Sequence, residues 1–185
     1  KADYGMFIHF GLYSQLGGVW KGKQVAGYAE WIQGKANIDR DEYAGLAKAF
    51  NPAGFDADLI VRSAKEAGMT YLVITSKHHE GFCLWDSEYT DFDVANTPFK
   101  GRDLLEELSQ ACKKHDIKYG LYYSIIDWNH PSQKRPSELG KKGQPGQTRM
   151  VDGRKKEYVD YQKNQVLELI EKYDPAVLWF DGDWA

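Results

Sequence analysis

Ala176-Val177-Leu178-Trp179-Phe180-Asp181-Gly182-Asp183-Trp184 decides how the rest of the chain is read. The run is apolar, rich in residues that suit strands and entered through Asp174-Pro175. It delivers an acid at its last position and breaks at a glycine. Such a run reads as a buried parallel strand presenting a carboxylate at its C-terminal rim. Trp179 and Trp184 flank the acid, and flat apolar faces beside a carboxylate suit a sugar ring as well as they suit a core.

Three upstream stretches repeat the design. Gly5-Met6-Phe7-Ile8-His9-Phe10 stops at Gly11 and carries His9 near its end. Thr70-Tyr71-Leu72-Val73-Ile74-Thr75 runs into Ser76-Lys77-His78-His79-Glu80-Gly81-Phe82, and residues 118–124 run into Asp127-Trp128-Asn129-His130-Pro131. Helical patterns lie between them. Residues 39–50 end at Asn51-Pro52. Asp56 reads as the N-cap of a helix with apolar positions 57, 60, 61, 64 and 67 and a stop at Gly68. After Asp103 comes a stripe of Leu104, Leu105, Leu108, Ala111 and Cys112, and residues 154–173 place Val159, Val166, Leu169, Ile170 and Tyr173 on one face. The charged, turn-rich residues 132–153 read as an exposed insertion.

Fully apolar strands alternating with amphipathic helices imply an α/β fold with a parallel sheet covered on its outer face. Every polar cluster follows a strand rather than preceding one, which is the placement of the catalytic loops in a TIM (β/α)8 barrel. A doubly wound sheet fits less well, because no G-x-G-x-x-G follows the first strand. The expectation is therefore that residues 1–185 are the N-terminal half of a catalytic (β/α)8 barrel, covering about the first four β/α units. The first and fourth strands would then have unpaired edges.

A net charge of -3 with 28% charged residues describes an ordinary surface, with no basic stripe for nucleic acid or an anionic membrane. No apolar run approaches the roughly 20 residues of a membrane span. Cys83 and Cys112 make no framework. Cys112 falls on a helical stripe and reads as a buried free thiol, although one disulfide would be compatible with the count. Both ends read as cut: Lys1-Ala2-Asp3-Tyr4 enters a strand directly with no signal-peptide pattern, and the sequence stops within three residues of Gly182. A fragment is expected.

Two chemistries compete for the rim residues His9, Glu30, Trp31, His78, His79, Glu80, Tyr122 or Tyr123, Asp127, Trp179, Asp181 and Asp183. His78-His79-Glu80 with His9 and an Asp resembles a borderline-metal ligand set. Adjacent residues of an extended segment face opposite sides, however, and the spaced pairs of metal motifs are absent, so no metal is expected. In a sugar site the imidazoles and carboxylates bond hydroxyls while Trp and Tyr stack on the ring. Retaining glycosidases pair a nucleophilic carboxylate with an acid/base one about 5–5.5 Å away, and Asp181 at a strand end suits the nucleophile.

The segments Gly5-Met6-Phe7-Ile8-His9-Phe10-Gly11-Leu12-Tyr13-Ser14, Ala29-Glu30-Trp31, Phe55-Asp56-Ala57, Lys77-His78-His79-Glu80-Gly81-Phe82, Leu84-Trp85-Asp86-Ser87, Gly101-Arg102-Asp103, Gly120-Leu121-Tyr122-Tyr123-Ser124 and Leu178-Trp179-Phe180-Asp181-Gly182 occur in this order across the chain. Together they resemble the α-L-fucosidases of glycoside hydrolase family 29. The resemblance implies a barrel followed by a β-sandwich, with the sandwich and the rest of the barrel absent here. It implies a retaining exo-α-L-fucosidase, cofactor-free, acting on terminal fucose of an oligosaccharide or glycoconjugate in a secreted, periplasmic or lysosomal setting. Asp181 would be the nucleophile; His9, Glu30, Trp31, His78 and His79 would bind fucose hydroxyls; Trp179 and a tyrosine of the third strand would line the pocket. Tyr122 is preferred over Tyr123, which faces the other way. The acid/base residue would lie beyond this chain, leaving the chain alone inactive. A metal-dependent barrel hydrolase and a non-catalytic fucose-binding homologue are the alternatives.

Other residues read as structural. Asp183 reads as solvated, and Asp86 and Asp127 as braces of their loops. His115 complements a helix C-terminus, and His130 lies at the surface. Trp20 and Trp128 fit either subsite walls or packing.

Overall fold

The computed structural model describes residues 4–99, 101–134 and 148–183. Trp184, residues 1–3 and most of the predicted insertion (135–147) lie outside the described residues. The main elements alternate: β1 (Gly5–Ile8), α1 (Ala57–Glu66), β2 (Tyr71–Lys77), α2 (Leu104–His115), β3 (Lys118–Ser124), α3 (Lys155–Tyr173) and β4 (Val177–Asp181). The strands form one parallel sheet in chain order, with Phe7 beside Val73, Val73 beside Gly120 and Gly120 beside Val177. Parallel neighbours need a long crossover, which the helices supply.

Local sequence starts these helices. Asp56 accepts from the Leu59 N–H and Asp103 from the Glu106 N–H, each at 2.9 Å, and such a cap typically contributes about 1 kcal/mol. Leu72, Ile74, Leu121 and Tyr123 then bury against Val61, Leu104, Leu105, Leu108, Leu169 and Tyr173. Paired residues of a parallel sheet share a face, so Phe7, Val73, Tyr122 and Trp179 lie on the other side. The sheet curls about that side: the rings of Phe7 and Trp179, on opposite edge strands, are 5.5 Å apart, whereas four flat strands would separate them by about 14 Å. No helix among the described residues is long and apolar enough to cross a membrane.

Several expectations need correction. β2 runs two residues past Thr75, and its register on β3 slips between Thr75 and Lys77. This bulge adds one residue, Ser76, and turns Lys77 to the helix side. Residues 39–50 form a short helix, Arg40–Ala44, continued as the 3-10 turn Gly45–Ala49. On α3 the buried residues are Tyr158, Gln165, Glu168, Leu169 and Tyr173, while Val159 and Ile170 are exposed. Hydrogen bonds set that face: Glu168 accepts from Trp85 Nε1 (2.9 Å) and Ser87 Oγ (3.1 Å), and Gln165 from the Tyr123 hydroxyl (2.8 Å). β4 is not a buried strand, since Val177, Trp179 and Phe180 are exposed at its open edge.

The loops also differ. Ser132 and Gln133 are buried, and Gln133–Lys134 pairs with Arg149–Met150, so the base of residues 132–153 is anchored. His130 is half-buried and packs its ring on Tyr158 and Tyr161 (5.0 and 4.5 Å) rather than lying at the surface. Asp127 does brace its loop, accepting from the Asn129 and His130 amides. Asp86 is exposed; the acid bracing its loop is Asp93, which accepts from the amides of Ser87 and Asn96. Trp128 is fully buried, and both cysteines are buried and free.

Candidate active site

The C-terminal ends of the four strands converge on one cleft. His9 follows β1 by one residue, its ring stacked on Phe7 at 5.1 Å. Past the bulge, β2 ends at Lys77 and residues 78–81 turn, with the His78 carbonyl accepting from the Gly81 amide (3.0 Å). Because extended geometry has ended, the rings of His78 and His79 do not point apart as adjacent strand residues would; their centroids are 4.2 Å apart. His78 lies 5.3 Å from His9 and stacks on Tyr122 at 5.4 Å.

Tyr122 and Tyr123 face opposite sides of β3. The Tyr122 hydroxyl donates to Asp181 Oδ2 at 2.6 Å, whereas Tyr123 bonds Gln165 and Lys77 on the helix side. The second oxygen, Asp181 Oδ1, accepts from the Gly182 amide at 2.8 Å. Gly182 has φ 87, and a Cβ there would sit 3.0 Å from the Ile126 nitrogen, so the turn that aims Asp181 requires glycine.

Glu30 and Trp31 come from the long loop after β1, in the 3-10 turn Ala29–Trp31. The Trp31 ring meets His79 edge-on at 5.2 Å and Trp128 at 6.0 Å. The cleft has a volume of about 470 Å3 and is lined by His9, Tyr28, Glu30, Trp31, Lys35, His78 and Asp181. Five of the eight predicted site residues are among these. Tyr122 and His79 stand behind the lining, bonded to Asp181 and packed on His78 respectively. Trp179 does not line this cleft; it borders an adjoining apolar concavity with Phe7 and Val73. Glu80 and Asp127, both counted as rim residues, are buried away from it, and Asp183 is exposed.

Burial governs the electrostatics. It holds His78 well below the usual imidazole range, helped by the neighbouring His79 and His9, and lowers His79 to about 4 against the pull of Asp181. Burial also lowers His9, with Glu30 and Asp181 opposing. All three rings are therefore neutral at pH 7, and a neutral imidazole offers one donor and one acceptor, as a sugar hydroxyl does. Burial and the Asp181 carboxylate raise Tyr122, which remains a phenol donor. Ser124 Oγ donates to the Ile126 carbonyl (2.6 Å) and lies 2.6 Å from His79 Nδ1. The serine proton being committed, Nδ1–H donates to Ser124 and Nε2 is left as the acceptor.

The sequence gave no reason to single out Ser124, Phe7, Tyr28 or Lys35; proximity to Glu30-Trp31 was the one available signal for the last two. Among the described residues no group of three His, Cys, Asp or Glu side chains is arranged to hold a metal. The arrangement can hold a polyhydroxylated ring against a fixed carboxylate.

Known proteins agree with this geometry. The profile of the family described as alpha-L-fucosidase matches residues 1–185. A putative alpha-L-fucosidase of Caenorhabditis elegans is 32% identical over 99% of this chain and 37% of its own length. The crystal structure of an alpha-L-fucosidase GH29 from Bacteroides thetaiotaomicron superposes with a TM-score of 0.83 at 40% identity, over 98% of this chain and 39% of that one. A trapped covalent intermediate from the same organism, with 2-fluoro-fucosyl fluoride, gives 0.82 at 39% identity, with the same coverage of each chain. The chain thus spans about two fifths of these relatives.

Proposed function

Because the chain belongs to the alpha-L-fucosidase family, we propose that the protein carrying it is a retaining, exo-acting α-L-fucosidase and that residues 1–185 are the N-terminal half of a TIM (β/α)8 catalytic barrel. The curl of the sheet and its open edges at β1 and β4 support the barrel. The rest of the barrel and a β-sandwich would follow in the whole protein.

Asp181 is the nucleophile in this reading. Its carboxylate attacks the anomeric carbon of a terminal fucose, the bond to the leaving-group oxygen breaks, and that oxygen takes a proton from an acid/base residue outside this chain. Water then cleaves the fucosyl-aspartate ester with overall retention. His9, Glu30, Trp31, His78 and His79 hold the ring hydroxyls, Tyr122 orients Asp181, and Trp179 packs at the margin. The substrate is a fucosylated oligosaccharide or glycoconjugate, and the chemistry calls for no metal or organic cofactor.

The observation that carries the reading is the double anchoring of Asp181, by Tyr122 at 2.6 Å and the Gly182 amide at 2.8 Å, at a cleft walled by neutral imidazoles. The trapped intermediate of a relative supports retention. The test is hydrolysis of an aryl α-L-fucoside by the full-length protein and by Asp181→Ala. An inactive wild type that binds fucose would make the protein a non-catalytic binder, and an Asp181→Ala variant keeping most of its rate would remove Asp181 from the chemistry.

A further inference from the structure

Directly after His79, one acid takes no part in that chemistry. The side chain of Glu80 is 1% exposed, and the partners it has are neutral donors. Oε1 accepts from the Leu12 amide at 3.0 Å and Oε2 from the Tyr43 phenol. The carboxylate packs against bare backbone: a Cβ on Gly11 would lie 2.1 Å from Oε1. A buried carboxylate without a cation is costly to keep, since its charge has left water for dipoles alone. Burial pushes Glu80 up to about 8, with those same donors pulling the other way. Glutamine or methionine would fill the space more cheaply.

The partners suggest what the acid does. Leu12 lies three residues past His9 on the β1 loop. Tyr43 lies on the helix Arg40–Ala44, which follows the loop bearing Glu30 and Trp31. Glu80 itself ends the pair His78-His79. One carboxylate therefore bonds all three segments that supply the imidazoles and the Glu30–Trp31 wall. We propose that Glu80 is a positioning residue that locks these three loops in one arrangement, so that His9, His78 and His79 reach the same sugar ring. The proposal rests on the cleft being the fucose site, yet the loop locking can be measured without any turnover.

The experiment compares Glu80→Met, Glu80→Gln and Tyr43→Phe in the full-length protein, by kinetics on an aryl α-L-fucoside, thermal unfolding and assigned imidazole NMR signals. Glu80→Met keeps the volume and loses both acceptors. It should lower kcat/KM by about thirtyfold or more, mainly in kcat, because displacements near 1 Å are that expensive. The His9 and His78 signals should shift while that of His115, paired with Asp58 on the far side of the helices, stays in place. Glu80→Gln retains an acceptor for Leu12 and should recover activity to within about tenfold of wild type. Tyr43→Phe, losing one anchor, should fall between. Should Glu80→Met not fold, the shifts in the other two decide the matter. Unmoved His9 and His78 signals with kcat/KM within about threefold in the folded variants would overturn the proposal. Wild-type inactivity would instead remove the fucosidase reading and leave the imidazole test standing.

Discussion

Two polar regions meet at the end of β2, one residue apart, and they are built on opposite plans. On the helix side Lys77 is fully buried and bonds the Tyr123 hydroxyl (3.1 Å) and Asp127 Oδ2 (3.2 Å), with the Tyr161 ring 5.1 Å away. Tyr123 in turn donates to Gln165. That network closes on itself. On the cleft side His78 Nδ1 is buried with no hydrogen-bond partner among the described residues, and Asp181 is oriented while still lining open space. Polar groups that satisfy one another hold a fold, whereas those aimed at a vacancy await a ligand.

That contrast predicts which variants lose activity and which lose stability. Asp181→Ala should abolish turnover by on the order of 10⁴-fold with little change in thermal midpoint; a comparable loss of stability would break the distinction. Lys77→Met leaves Asp127 buried without its cation, and should cost about 3–5 kcal/mol in urea unfolding. Adding Asp127→Asn should recover much of that, and a double mutant no better than the single would sink the pairing.

The third prediction concerns pH. His79, lowered by burial to about 4 from an unfolded value near 6.5, binds its proton only in the unfolded chain between those limits. Its contribution is therefore present above about 6.5 and lost as pH falls toward 4, by up to about 3 kcal/mol. Glu80, raised to about 8, acts in the opposite sense: its contribution is full below the unfolded value of 4.5 and lost as pH rises toward 8. Urea midpoints of wild type and His79→Gln between pH 4.5 and 6.5 isolate the histidine, whose replacement should flatten the acid side; equal slopes would count against it.

Smaller effects complete the series. Tyr122→Phe removes the donor to Asp181 and should lower kcat by about 10- to 100-fold, the worth of a hydrogen bond to a charged group, with stability nearly intact. Asp58→Asn breaks exposed pairs with Lys114 and His115 and should move neither activity nor midpoint measurably, since water and salt screen such contacts.

What the sequence carried followed from how directly each residue reports its surroundings. β3 spans residues 118–124 as expected, and Asp56 and Asp103 cap their helices as expected, because apolar runs and caps are local signals. Lys77 was illegible: a lysine reads as solvated, and only contacts with α3, some eighty residues later, bury it. The α3 face was misassigned for the same reason, as Gln165 and Glu168 are buried by partners the helix does not contain. At the site, composition suggested a sugar pocket, but the grouping of His9, Glu30, Trp31, His78 and Asp181 came from the family resemblance. Spacing on a strand argued against His78 and His79 sharing a side, and the turn after Lys77 reversed that.

The extra residue at Ser76 gives the site a phase. Side chains of a strand alternate, so one inserted residue exchanges the two faces of everything after it. Thr75 pairs with Tyr122 and Lys77 with Tyr123. Deleting Ser76 would pair the lysine with the opposite face and bring an ammonium group into the cleft where a neutral imidazole now stands. The sign of the charge facing the bound ring is thus set by a count of residues rather than by their identity. Substitutions at this position should be tolerated far better than any change in length, and a length change here would recast the pocket for an anionic ligand in a single step.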